Sequence, residues 1–296
     1  MSFSKVPVKQ FEWIDTQRPS NEEIATFARE AKLLHSDVEF LLEDQPRPEV
    51  AVRADYVLIL VRVPVFDKKT RVTSGASVAF ITTKDRLYTL HTQPVVVLEQ
   101  VRQEIEDHPN DHEPHIGENT ISLALYIIDK LGDSSFRKLT RLTKHIDIAE
   151  DAVFFGNERK MVEEVAILGR DVLDFRRIVR PHISLFKNIP DILDENTASQ
   201  WRRVGGQMEQ LWELLESLYN SAKELRETND SLLQHKENEL LRLLTLYSIV
   251  AIPALLLAGS YNSGAPTFEV IFWVVLLFLV FCLGFVFLRA KRRKII

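Results

Sequence analysis

From position 204 to position 225 apolar residues recur at alternating spacings of four and three: Val204, Met208, Leu211, Leu215, Leu218, Ala222 and Leu225. This is the 3.5-residue period of a coiled-coil seam, and it predicts a helix from about 198 that runs unbroken toward the C-terminal apolar runs. Asn229, Leu232 and Lys236 continue the register with weaker residues, and Gly205-Gly206 is the place where such a helix would break. A continuous helix over 198–260 would be ~95 Å long at 1.5 Å per residue. Its stripe needs neighbours. The chain holds no second long heptad, so the neighbours are expected in other copies of the chain, with a helical hairpin against 121–188 as the alternative for the upper half.

Upstream the period changes. Ser20 followed by Glu23 fits a helix N-cap with its reciprocal glutamate and predicts a helix over 21–34. Residues 1–45 otherwise read as a preface. The β-branched run 56–65 and the segments 78–83 and 86–91 read as strands, the last two joined by a turn at Lys84-Asp85. They predict a hairpin in a mixed or antiparallel sheet. Pro94 then opens a helix with Val97, Leu98, Val101 and Ile105 at helical spacing, and the pattern is helical throughout 121–188.

Two stretches near the C-terminus, 243–268 and 270–288, contain no charged residue except Glu269 between them. Each is long enough to cross a bilayer, which takes ~20 apolar residues. The predicted spans are 240–260 and 268–288, joined by an outer loop at 261–267 that contains the turn residues Asn262, Gly264 and Pro266. So short a connection makes an antiparallel hairpin. Arg289, Lys291, Arg292, Arg293 and Lys294 follow the second span, against no basic residue in the loop. The positive-inside rule then places both termini in the cytoplasm of a multi-pass protein of the cell membrane. The second span is bulky and apolar all round, which suits lipid. The first carries Thr245, Ser248, Pro253, Gly259 and Ser260, and Asn238, Leu241, Thr245, Ser248, Ile252, Leu255, Gly259 and Asn262 share one strip. A strip of this kind either lines a pore or makes a helix–helix contact.

Composition changes this picture little. The formal net charge of -5 implies no nucleic-acid partner, and the lone cysteine, Cys282, allows no disulfide within one chain and disfavours a zinc–thiolate site. The N-terminus has no apolar run and carries Glu12, Asp15, Glu22 and Glu23, so neither a secretory signal nor an organelle transit peptide is expected. His108, His112 and His115 lie among Asp107, Asp111 and Glu113 in 107–119, read either as a metal site or as a solvated loop broken by two prolines.

The order of parts, over about 56–293, resembles the CorA family of magnesium and cobalt channels, which includes the zinc transporter ZntB. The family's first span ends in a proline followed by Ala/Thr-Gly-x-Tyr-Gly-Met-Asn. Here Pro253 is followed by Ala258-Gly259-Ser260-Tyr261, and Asn238-Glu239 stands where the family has Asn-Glu at the cytoplasmic end of the pore. The segment LYTLHTQPVVVLEQVRQEI is similar to the family's strand-then-helix unit. Three departures stand out. The Gly-Met-Asn signature reads Asn262-Ser263-Gly264; a pore position often threonine is Leu255; and Arg203 and Gly206 stand where the family has aspartates that help to bind regulatory magnesium between subunits.

The resemblance implies an α/β cytoplasmic domain, a long stalk helix and a two-span α-helical transmembrane hairpin, assembled as a homopentameric funnel. The parts would be an α/β domain over 1–197, helical from about 121, a stalk at 198–239, the pore-lining span at 240–260, the outer loop, the lipid-facing span and a basic tail at 289–296. The expected activity is passive movement of a metal cation, magnesium or another divalent, and not an enzyme reaction. No cofactor is expected beyond the ion transported, and the partners are other copies and the bilayer. Tyr261, Asn262, Ser263 and Gly264 would form the outer mouth, Asn238, Thr245 and Ser248 inner polar rings, and Leu241, Leu244, Ile252 and Leu255 hydrophobic constrictions that gate by dewetting. Two rivals remain: a channel of this type for a non-divalent ion, because no carboxylate lies on the strip, and a membrane-anchored scaffold without transport.

Overall fold

The run 57–61, Val-Leu-Ile-Leu-Val, shows no alternation because both of its faces are buried. In the computed structural model, which describes residues 3–8, 10–43, 45–67, 72–107 and 119–262 with positions 270, 272–274, 277, 278 and 281, it lies in the long strand β4 (Val57–Asp67) of a six-stranded sheet. The other strands are β1 (Phe3–Val8), β2 (Phe11–Gln17), β3 (Glu49–Val52), β5 (Val72–Thr82) and β6 (Arg86–His91), in the order β1-β2-β6-β5-β4-β3. All neighbours are antiparallel except β2 and β6, so the sheet is mixed.

The expected β5–β6 hairpin is present, with Thr82 opposite Leu87. The β1–β2 hairpin corrects the reading of 1–45 as a preface. Its polar positions are spent inside the fold: Trp13 Nε1 donates to Thr89 Oγ1 at 3.0 Å, Thr89 donates to Asp15, and Asp15 lies 3.4 Å from His91 Nε2.

On one face of the sheet sit α1 (Asn21–Glu30) and α2 (His35–Leu42). Ser20 caps α1 as expected: its Oγ accepts from Glu23 N at 3.2 Å, and Glu23 accepts from Ser20 N at 2.7 Å. The predicted helix over 21–34 is shorter because Lys32 adopts φ 51°, a left-handed turn that starts a second helix. Phe27, Ala31 and the half-buried Phe40 pack on Ile14, Leu58, Leu60, Ile81 and Leu90. The opposite face, with Ile59, Val61, Val78 and Phe80, receives α3 (Val96–Asp107), through Leu98, Val101 and Ile105, and α4 (Thr120–Ala152), through its first three turns.

Beyond α4 the chain makes a π-helical turn at Val153–Asn157, where Gly156 takes φ 89°, and returns as α5 (Glu158–Lys187). The last long element is α6 (Glu195–Asn262), which passes Gly205-Gly206 without a break. Its heptad residues Val204, Met208, Leu211, Leu215, Leu218, Ala222 and Leu225 are all buried. They are buried within a single chain. Trp201 Nε1 donates to the Phe186 carbonyl at 3.1 Å, Gln207 donates to the Asp129 carbonyl at 3.2 Å, and the Arg176 guanidinium stacks 4.0 Å from the Tyr219 ring while pairing with Glu216. Of the two expectations for this stripe, the helical hairpin against 121–188 holds and cover by other copies does not: α4 and α5 bury it.

Two units divide the chain, Met1–Glu227 and Thr228–Ile296, with the boundary inside α6. In the second unit most of the described large apolar residues from Leu240 onward are exposed, among them Leu240 at 60%, Leu244 at 61% and Leu255 at 71%. Among the described residues, one helix, α6, is long and apolar enough to cross a membrane. Most of the second predicted span, the basic tail and the loop carrying His108, His112 and His115 lie outside the described residues.

Candidate ion-conducting face of the last helix

Helical geometry at about 100° per residue puts Asn238, Leu241, Leu244, Thr245, Ser248, Ile252 and Leu255 within one third of the circumference of α6. All seven side chains are exposed. The helix thus gathers the inner polar positions and the four proposed constrictions on one face. Tyr261 and Asn262 are its last two residues, while Ser263 and Gly264 lie outside the described residues.

The two hydroxyls on this face have a defined chemistry. Thr245 Oγ1 donates to the Leu241 carbonyl at 2.8 Å, and Ser248 Oγ donates to the Leu244 carbonyl at 2.9 Å. Each proton is spent inside the helix, so each oxygen keeps its lone pairs for an outside partner. Such a face tolerates hydrocarbon, because its donors are satisfied, and offers oxygen acceptors to a cation or its water shell. Pro253 adds a third acceptor. It has no N–H to give to the Ile249 carbonyl four residues back, so that carbonyl loses its usual partner in the helix. The proline was visible in the sequence, but the free carbonyl beside the strip follows only once the helix is known to continue through it.

Other singled-out residues fall elsewhere. Glu227, an acidic residue farther back on α6, lies 3.8 Å from Lys223 one turn back, with both side chains over 60% exposed, the pattern of a solvated helix face. Arg203, at one of the family's aspartate positions, has its Nη2 3.1 Å from Asp129 Oδ2 on α4 of the same chain. Gly206 has no atom within 4 Å of where a side chain would begin. Among the described residues, no group of three His, Cys, Asp or Glu side chains is placed to hold a metal ion.

A family model described as CorA-like Mg2+ transporter protein matches residues 8–292. The cobalt/magnesium transport protein CorA of Thermotoga maritima is 24% identical over 232 residues, which are 77% of this chain but only 65% of that protein. Its counterpart in Methanocaldococcus jannaschii is 21% identical over 279 residues, 90% of this chain and 86% of that one. The complete structure of the CorA magnesium transporter from Methanocaldococcus jannaschii superposes with a TM-score of 0.74 at 20% identity, covering 94% of this chain and 90% of that chain. At that identity the superposition speaks for the fold alone: the α/β domain and the long last helix are shared. With the family model matching nearly end to end, the chain belongs to the family of CorA-like Mg2+ transporter proteins.

Proposed function

We propose that this chain is one subunit of a homopentameric ion channel of the cell membrane, through which a divalent metal cation such as magnesium passes down its electrochemical gradient. In this reading five copies of the end of α6 ring an axis, the spans at 268–288 stand outside them, and both termini and the α/β domain are cytoplasmic. Asn262 and Ser263 form the outer mouth with Tyr261 and Gly264, Asn238, Thr245 and Ser248 the inner polar rings, and Leu241, Leu244, Ile252 and Leu255 the dewetting constrictions. Transport and not catalysis is the reading, and membership in a family of transporter proteins supports it.

The observation that carries this reading is the pair of hydroxyls on the exposed strip, each bonded back to its own helix with its lone pairs free. Membrane surfaces of this kind suit an ion that keeps its water, since magnesium gives up its hydration shell reluctantly. Purified protein in liposomes, assayed with magnesium, zinc, sodium and chloride in turn, tests it. Magnesium uptake driven by a negative interior potential is the expected result.

The replacement of the Gly-Met-Asn signature by Asn262-Ser263-Gly264, with no carboxylate on the strip, favours a second reading in which the ion is not divalent. Flux of sodium or chloride without magnesium would support it. Absence of any flux would instead favour the membrane-anchored scaffold.

A further inference from the structure

Arg62 is half-buried on β4, and none of the described carboxylates pairs with it. Its Nη2 reaches the Gly75 carbonyl at 3.2 Å and Gln45 Oε1 at 3.5 Å, both neutral acceptors. Its Nε is buried with no partner among the protein groups. A guanidinium held this way has lost part of its hydration and received no counter-charge in return, an arrangement that costs free energy until an anion or ordered water fills it.

The local backbone is shaped for this side chain. Arg62 and Ser77 are register partners, so they share a sheet face, and Gly75 follows two residues earlier on the same face of β5. A Cβ at Gly75 would come within 2.8 Å of Nη2 and 2.9 Å of Nε, so a larger residue there would push the guanidinium off the strand. The guanidinium opens on a groove of about 560 Å3 lined also by Ser74, Thr92 and Arg177. Asp174 also lines the groove, but its carboxylate is taken up by Arg177 at 3.2 Å and by Arg170 at 3.7 Å, so the Arg62 charge is the one left without a counter-charge there.

We propose that the groove around Arg62 is a binding site for a phosphoryl group, presented by free phosphate or by a nucleotide. The Arg62 fork matches two oxygens of such a group through charge-assisted bonds. Ser77, on the same face of β5, and Arg177 at the rim add donors from other directions. This spread of donors suits a tetrahedral oxyanion better than a planar carboxylate. The volume exceeds that of a single phosphate and leaves space for a larger body attached to it. All of these groups belong to the first unit, so the site is independent of the transport reading, and its test uses no flux measurement.

The test is the thermal melt of the full-length protein in detergent and magnesium-free buffer, at matched ionic strength, with phosphate, ATP, acetate or chloride. A ligand that binds only the folded state raises the melting temperature. Phosphate or ATP should raise it above chloride and acetate, and Arg62→Gln should weaken that binding about tenfold or more by removing a charge-assisted bidentate contact. Equal responses to phosphate and ATP would assign free phosphate; a response to ATP at much lower concentration would assign the nucleotide. A wild-type melt no higher in phosphate and ATP than in chloride and acetate would mean that the groove holds solvent alone, and would overturn the proposal. So would a rise in Arg62→Gln equal to wild type. If Arg62→Gln does not fold, Arg62→Lys and the rim variant Arg177→Gln carry the test, and undiminished phosphate and ATP responses in both would also overturn it.

Discussion

His182 shows how one buried residue ties stability to pH. Its Nδ1 donates to the Val179 carbonyl at 3.2 Å and its Nε2 accepts from Arg62 N at 3.0 Å, a pair of bonds that only the neutral ring can make. The bond falls where it is needed: β3 pairs with β4 only as far as Leu60, and the imidazole satisfies an N–H beyond the end of that ladder. Burial, assisted by the Arg62 charge, pushes the His182 pKa down to about 4. A depressed base contributes stability above its unfolded pKa and loses it as acid protonates the unfolded chain first. Stability should therefore fall by about 1.4 kcal/mol per pH unit between roughly 6.5 and 4 from this group. His91 acts with the opposite sign. Burial opposes its charge, but its bonds to Asp15 and the Gln93 carbonyl outweigh burial and raise its pKa, so its contribution is lost as pH rises. Chemical denaturation of wild type and His182→Gln from pH 7 to pH 5 isolates the first group, since glutamine keeps an acceptor that does not titrate. The wild-type curve should drop relative to the variant; parallel curves would exclude the assignment. At lower pH the carboxylate of Asp37 enters. Bidentate bonds from Arg53, at 2.7 and 2.9 Å, and one from Tyr56 at 2.5 Å hold its pKa below the usual range. Asp37→Asn should cost about 2 kcal/mol at neutral pH, since it removes the charge that Arg53 pairs with and turns an amide donor toward the Arg53 and Tyr56 donors.

Element by element, periodicity was readable wherever one side of an element met the core. The α3 residues Val97, Leu98, Val101 and Ile105, predicted from spacing alone, are all buried. Two kinds of element escaped. Strand β2 carries Asp15 and Thr16 in a short run, and its polar side chains look like surface until Thr89 and His91 are seen beside Asp15. The stripe on α6 was legible, but spacing could not choose between its two candidate partners, because covering helices need no heptad of their own: α4 and α5 meet it with Gly132 and Arg176 as well as apolar residues such as Phe186. A Cβ on Gly132 would lie 2.0 Å from Gln207 Oε1, a close approach that no hydrophobic pattern announces. This correction has a measurable consequence. Leu215 is fully buried inside one chain, so Leu215→Ala should cost about 3 kcal/mol of unfolding free energy as a cavity in the core. Because the stripe is internal, the variant should keep the oligomer size of wild type in native mass spectrometry. A loss of subunits at unchanged domain stability would return the stripe to an interface. On the candidate site, the strip positions were legible from spacing, whereas the direction of the two hydroxyl bonds depends on the helix being formed.

At the scale of the whole molecule, the question is how a channel of this family would sense the ion it carries. The resemblance implies that magnesium between cytoplasmic domains ties subunits together and holds the pore shut. That mechanism needs oxygen ligands, since magnesium is a hard cation. Here Arg203 occupies one of the aspartate positions and Gly206, with open space around it, another. Arg203 is also engaged, 3.1 Å from Asp129 on α4. The pair removes a carboxylate from service as a ligand and leaves a guanidinium that repels a divalent ion placed beside it. Closure by this route would require breaking the pair and then overcoming that repulsion. In the proposed pentameric channel, millimolar magnesium should therefore neither close the pore nor raise the melting temperature by more than about a degree or two beyond calcium-free, magnesium-free buffer at equal ionic strength. Arg203→Asp should do the reverse: two carboxylates, Asp129 and the new one, would then face each other, repel without an ion, and gain stability on binding magnesium. The comparison needs both proteins melted with and without magnesium and both assayed for flux. A large magnesium-dependent rise in the wild type that Arg203→Asp does not enlarge would show that other carboxylates supply the regulatory site. A rise confined to the variant would show that one substitution separates this chain from the magnesium-gated members of its family.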